Sequence, residues 1–322
     1  MNKIFIIFYG GTGLFEKKEN FRFVEKKDDI KKWMELVPEI SFIAKIDTVF
    51  IEKDKNLISK ESFQRVLKVI KENIDDYDGI LITNEVDTIP IFSNQLFWQI
   101  HNPKKPIVIT GSNVIYNEND VLPDLSFKAN LINGLQLINT GLRGISVIYG
   151  NRVISPNKIY RSKLFDLNIF DSADKKYLAR VDFGISLDSI LNKEVGRSEF
   201  FFEFDDNFLF FRMVPNLETL KFILDKNQAI KVIIFEAWTN NIVSRDKLVE
   251  IFEFCKKNNK LIVFYNQLGF GKDFFKYTIL TISHITYECL CAKLSWILGQ
   301  TKNQTKIREM LKDNWYGEFL KE

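Results

Sequence analysis

The chain predicts an α/β fold, with a larger N-terminal parallel-sheet domain over residues 1–200 and a smaller C-terminal α/β domain over residues 201–322. Three observations carry that prediction. Short runs rich in Ile, Val and Phe recur along the chain, and each is apolar throughout rather than alternating, as strands buried on both faces of a parallel sheet are. Helical patterns lie between them, so strand and helix alternate. Near residue 200 the periodicity weakens and then resumes, which separates two domains.

The elements follow in order. "KIFIIFY" (3–9) reads as the first strand and runs into a Gly-Gly turn. Phe63, Val66, Leu67, Ile70 and Ile74 are spaced to line one face of a helix ahead of the strand "DGILIT" at 78–83. "KPIVIT" (105–110) and "RGISVIY" (143–149) supply two more buried strands. "EFFFEFDDNFLFFRMVPN" (199–216) reads as a strand or hairpin that closes the first domain, with the boundary between 190 and 215. The second domain repeats the alternation: "IKVIIFEAW", a helix through Leu248, Ile251 and Phe252, "KLIVFYN", and two closing helices.

Composition removes several function classes. With 322 residues, 46% of them hydrophobic, the chain can bury one large core or two ordinary ones. A net charge of +3 from 45 basic and 42 acidic residues leaves no electrostatic footprint for nucleic acid. No apolar stretch approaches the roughly 18 residues of a membrane-spanning helix, and "MNKIFIIFYGG" reads as a first strand rather than a leader. The expectation is no nucleic acid and no membrane. Cys255, Cys289 and Cys291 form no disulfide framework and suit a reducing, cytoplasmic compartment. Cys289 and Cys291 are two apart in a helical pattern and so do not share a face, which favours buried thiols over a metal pair. With only His101 and His284, histidine zinc sites and Ser-His or Cys-His pairs have little material, and neither a metal nor another cofactor is expected.

Chemistry is expected at the carboxyl ends of the strands, where open α/β sheets bind ligands. In "YGGT", Gly10 and Gly11 let the backbone turn sharply and expose amide groups beside the Thr12 hydroxyl. On these four residues alone a plain structural turn is the stronger reading, since neither a phosphate-loop lysine nor G-x-G-x-x-G follows. "TNEVDT" places Asn84, Glu85, Asp87 and Thr88 after the second strand, where Asp87 taken singly is more often a helix cap. With "VITGSN" after the next strand, three successive strand ends are polar and turn-forming, and a composite pocket becomes the better reading.

These motifs together resemble the bacterial-type L-asparaginase family, most closely its cytoplasmic type I branch. "YGGTG" stands where the family has T-G-G-T-I, "YDGILITNEVDT" where it has D-G-x-V-I-x-H-G-T-D-T, and "KPIVITGSN" where it has K-P-V-x-x-T-G-S. Order and spacing agree, and "NLINGLQL", "RGISVIYGNRV", "TYECLCAKLSWILG" and "GEF" extend the likeness over nearly the whole chain. The resemblance implies an asparaginase-like fold and a homodimer or homotetramer. It implies that Thr12 is the nucleophile on a side-chain amide beside a supporting Thr-Asp-Lys relay, and that Asp87, the relay's aspartate, followed by Thr88, also holds the substrate's α-amino group. Gly11 and Asn84 flank those residues, and Asn241 survives from a second-domain motif that here reads "AWTNN", with Trp238 at the expected subunit boundary.

The departures matter as much. The family's second threonine is Val86, whose isopropyl group relays no proton, and the relay lysine is Arg161, which keeps the charge but cannot act as a base. A hydroxyl nucleophile is weak without such activation. Glu85 replaces a glycine where the substrate's carboxylate would lie, and Lys55 and Asn56 replace two serines. Glu85 and Lys55 are therefore expected either to pair across that site or to meet an amine, the plain alternative being that both face solvent. The segment "LFEKKENFRFVEKK" lacks the family's lid tyrosine, leaving Glu19, Phe21, Phe23 and Glu25 as candidates for its place. Two functions compete: a divergent amidohydrolase acting on a small amide or peptide other than free asparagine, and a catalytically inactive relative that binds a ligand or protein partner. The family also contains a component of the tRNA-dependent amidotransferase, which carries an extra N-terminal domain and is the lesser expectation.

Overall fold

A computed structural model describes residues 1–9, 13–16, 20–23, 28, 30, 35, 37–51, 59–112, 115–116, 121–122, 126–164, 166–188, 197–214, 217–237, 245–267, 269 and 280–320. It divides into two compact units, Met1–Phe202 and Glu203–Glu322.

In the first unit, β1 (Lys3–Tyr9), β2 (Lys45–Ile51), β3 (Gly79–Glu85), β4 (Pro106–Ser112) and β5 (Gly144–Tyr149) lie side by side in the order β2-β1-β3-β4-β5, all parallel. The chain then turns back as β6 (Arg152–Ile154), forms a separate hairpin from β7 (Ile159–Arg161) and β8 (Phe170–Ser172), and rejoins the sheet as β9 (Ala179–Val181) and β10 (Ile185–Leu187). Beyond β5 the sheet is antiparallel, so the expected parallel sheet holds for five strands and gains an antiparallel flank. β1 is buried from Ile4 to Tyr9, as its unbroken apolar run requires. β2, missed in the sequence, is an edge strand with Lys45 and Asp47 among its residues, and its partial burial explains the absence of an apolar run.

The helix α1 (Lys60–Asn73) starts where Ser59 accepts a bond from the Ser62 amide, and it buries Phe63, Val66, Leu67 and Ile70, the face read from the spacing. α2 (Ile89–Gln99) follows β3, and α3 (Ser126–Asn139) precedes β5. One core packs Ile4, Ile6 and Phe8 with Leu81, Val108, Leu131 and Leu135, each fully or almost fully buried. Burying such a side chain stabilises the fold by roughly 1.5–3 kcal/mol.

The second unit has β11 (Phe208–Arg212), α4 (Glu218–Lys226), β12 (Val232–Glu236), α5 (Arg245–Lys257), β13 (Leu261–Asn266), β14 (Leu280–Ser283), α6 (Tyr287–Gln300) and α7 (Gln304–Lys312). Its four strands are parallel and in sequence order. Of the strand or hairpin expected over 199–216, strands form at Glu199–Phe200 and Phe208–Arg212 but do not pair with each other. Glu199 and Phe200 instead pair antiparallel with His101 and Ile100 of the first unit, whereas β11 opens the second sheet. The apolar run is thus shared between two sheets, which is why it reads as continuous.

Candidate active site

The parallel strands reverse order between β1 and β3, the switch point at which a doubly wound sheet leaves a crevice at its carboxyl edge. Phe8 pairs with Thr83, so β1 ends beside the start of the "TNEVDT" turn. Tyr9 is anchored on both sides: its hydroxyl lies 2.8 Å from Ser62 Oγ of α1, and its ring stacks on Phe92 of α2 at 5.2 Å. Gly11 and Thr12, which follow, lie outside the described residues, as do Lys55, Asn56, Trp238, Asn241, Glu19 and Glu25. The expected Glu85–Lys55 pair therefore involves a residue outside the described set. Immediately beyond Thr12, Gly13–Glu16 pairs antiparallel with Asn20–Phe23, so part of the segment read as a loop is a two-stranded ribbon carrying Phe21 and Phe23.

The second turn is built from its own polar side chains. Fully buried Asn84 accepts the Glu85 amide on Oδ1 at 2.9 Å, and Thr88 Oγ1 lies 3.3 Å from the same oxygen and 3.1 Å from Glu85 O. These bonds fold Val86–Thr88 into a single 3₁₀ turn that leads into α2, with Pro90 early in the helix where a missing amide proton costs nothing. The Thr88 hydroxyl, expected to touch substrate, thus braces the turn. Asn84 Nδ2 is buried without a hydrogen-bond partner, an arrangement costing about 1–3 kcal/mol that ordinary turns avoid. Glu85 and Asp87 are exposed, while Val86 is 5% exposed and belongs to the apolar interior.

Gly111 of β4 pairs with Asn84, and a Cβ there would fall 2.2 Å from the Asn84 carbonyl oxygen. The glycine of "VITGSN" is therefore a close-packing requirement. Behind it, buried Asn130 of α3 donates to Gly111 O at 3.1 Å and accepts from Gly150 N at 2.9 Å, tying the ends of β4 and β5 together. The sequence marked Asn130 only as part of "NLINGLQL"; its clamping role follows from the crossover that returns α3 over those strand ends.

Arg161 and Asp87, 74 residues apart in sequence, meet directly: Arg161 Nη1 donates to Asp87 Oδ1. The guanidinium also donates through Nε to Lys163 O at 3.2 Å and through Nη2 to Leu164 O at 3.4 Å. β7, which carries Arg161, packs against α2. Of the relay positions expected from sequence, the aspartate and the arginine are brought together, and the valine between the turn's polar residues is buried.

Among the described residues no group of three or more His, Cys, Asp or Glu side chains could hold a metal ion, and no helix is long and apolar enough to cross a membrane. Cys289 is buried and Cys291 half-buried, and burial pushes the Cys291 thiol up to about 12 and Cys255 up to about 11, which leaves them protonated and unreactive at neutral pH.

Residues 3–191 match the family described as "Asparaginase, N-terminal". An L-asparaginase from Thermococcus kodakarensis is 27% identical over 337 residues, covering 98% of this chain and 99% of that protein. The solved structure of the thermostable L-asparaginase from Thermococcus kodakarensis superposes with a TM-score of 0.80 at 26% identity, over 99% of this chain and 100% of the other. A glutamyl-tRNA(Gln) amidotransferase component from Saccharolobus islandicus is 23% identical over 348 residues, covering 99% of this chain and 76% of that protein.

Proposed function

The chain belongs to the asparaginase family, and from that premise we propose that it is a divergent amidohydrolase with Thr12 as nucleophile, acting on an amide other than free L-asparagine. The observation that carries the reading is the contact between Arg161 and Asp87 at the carboxyl edge of β3, next to the strand that leads to Thr12.

In the proposed reaction the Thr12 oxygen attacks the amide carbon, the tetrahedral intermediate collapses, and ammonia leaves carrying the threonine proton. Water then cleaves the ester, releasing the acid and restoring the hydroxyl. Arg161, held by Asp87 and two loop carbonyls, supplies fixed positive charge for the oxyanion and no base. With Val86 offering no hydroxyl to the relay, turnover is expected to be slow, by several powers of ten against an intact relay. Glu85 at the turn disfavours the carboxylate of free asparagine, which points to a substrate with different charge at that position. The protein is proposed to act as a homodimer or homotetramer; a monomeric mass in light scattering at working concentration contradicts this.

Ammonia release from a panel of small amides and asparagine-containing peptides tests the reading. Release from at least one, abolished in Thr12→Ala, is expected; no release from any of them by concentrated enzyme refutes it. A second reading, a binding protein that has left catalysis, is favoured by the buried Val86 and the occupied Asp87. It predicts an inert wild type and asparagine hydrolysis gained in the combined variant Glu85→Gly, Val86→Thr, Arg161→Lys.

A further inference from the structure

Asn84, Asn130 and Asn168 hold backbone groups at the carboxyl edge of the first sheet, and their contacts form a closed circuit through the Arg161–Asp87 pair. Tyr149 pairs with Arg152, so Gly150 and Asn151 form the turn between β5 and β6. Each amide of that turn donates to an asparagine side chain: Gly150 N to Asn130 Oδ1 of α3 at 2.9 Å, and Asn151 N to Asn168 Oδ1 at 3.1 Å. The backbones also meet here, since a Cβ on Gly150, whose φ is +61°, would lie 2.3 Å from Leu167 O. The segment pressed against the turn runs on to Ile169, whose carbonyl accepts from the Ser162 and Lys163 amides at 2.9 and 3.2 Å. Lys163 O and Leu164 O accept in turn from the Arg161 guanidinium. The turn at the end of β5 is thereby linked to the placement of the cation.

The carboxylate is linked to the same Asn130 from the other side. Asn130 Nδ2 donates to Gly111 O at 3.1 Å, and Gly111 lies so close to β3 that a Cβ there would fall 2.2 Å from Asn84 O. Asn84 Oδ1 closes the turn that carries Asp87. Asn130 is buried with both ends of its amide bonded, and a satisfied buried amide fixes backbone geometry that an apolar side chain would leave free. A clamp serving the sheet alone would end at Gly111 and Gly150. This one continues through Asn168 into the segment that holds Arg161.

We propose that Asn130 and Asn168 are positioning residues that set Arg161 against Asp87, Asn130 through both strand ends and Asn168 through the segment whose carbonyls hold the guanidinium. The expected effect on ammonia release rests on the amidohydrolase reading.

Arginine side-chain NMR on the intact protein tests the placement without requiring turnover. The Arg161 Nε–H signal is assigned by its loss in Arg161→Lys, and that of Arg212, which donates to Glu236 at 2.7 Å in the second unit, is the reference. Asn130→Asp removes the donor to Gly111 O and keeps an acceptor for Gly150 N. Asn168→Ala removes the acceptor for Asn151 N at a half-buried position. In both variants the Arg161 proton is expected to exchange about fivefold faster, the effect of one lost hydrogen bond, with the Arg212 proton unchanged. Ammonia release should fall by about tenfold or more, as small displacements of reacting groups cause. In the Arg161→Lys background, where the fork that reads the loop carbonyls is gone, Asn168→Ala should cost under about twofold. A residue serving folding alone would cost the same factor in both backgrounds. Where Asn130→Asp fails to fold, Asn168→Ala decides. An Arg161 signal unmoved in either folded variant, or a loss undiminished in the Arg161→Lys background, overturns the inference and leaves the amidohydrolase reading standing. A moved signal with no ammonia released by wild type upholds the positioning and overturns that reading.

Discussion

Lys293→Met is predicted to be among the most destabilising single changes in the second unit. Lys293 and Glu318 are both fully buried and joined at 2.7 Å. The ammonium also donates to Leu311 O at 3.2 Å and to Asp313 O, so its three protons reach three acceptors that fasten the chain after α7 onto α6. Burial pulls the Lys293 ammonium below its ordinary value while Glu318 works against that shift. Removing the cation leaves a buried carboxylate without its counter-charge, which costs about 3–5 kcal/mol, whereas replacing both partners by apolar groups of similar volume is close to neutral. The expected result in urea unfolding is therefore a loss of about 3–5 kcal/mol for Lys293→Met and recovery of most of it in Lys293→Met with Glu318→Leu. A single variant costing under about 1 kcal/mol, or a double variant no more stable than the single, would refute the reasoning.

Two further outcomes follow from the first unit. Burial lowers the His101 imidazole from 6.5 to about 4, so between those values the unfolded chain binds the proton and the native one does not. Stability is fully present above pH 6.5 and falls as pH drops toward 4, by about 3 kcal/mol in all, and His101→Gln flattens that part of a pH series of unfolding curves. Gly111→Ala drives a methyl group to 2.2 Å from Asn84 O and 3.0 Å from Ile89 Cδ1. It should cost about 1–3 kcal/mol in thermal unfolding and weaken ligand binding, because the Asn84–Thr88 turn must shift; unchanged stability would mean that β3 and β4 separate easily there.

The elements that sequence reading located are those whose burial is complete. β1, β3 and α1 carry unbroken or regularly spaced apolar residues because both faces of the strands, and one face of the helix, are covered. β2 escaped because it lies at a sheet edge with polar residues on its open side, and the 199–216 run misled because two separate sheets divide it. Arg161 and Asp87 were paired in the sequence only through family likeness, and their contact depends on a hairpin, β7–β8, that leaves no apolar trace of its own. No local pattern announces that Thr88 braces a turn or that Asn130 clamps two strand ends. The clamp arises from hydrogen bonds to backbone groups 19 and 20 residues away in sequence, and the brace from bonds to Asn84 and Glu85 within the turn itself.

Thr12 is the residue on which the proposed reaction depends most directly. Acid-quenched wild-type protein, mixed with the amide that releases most ammonia, should show a mass increase equal to the acyl group on the peptide containing Thr12 and none in Thr12→Ala. Ammonia release with no ester on that peptide, or release undiminished in Thr12→Ala, would contradict it.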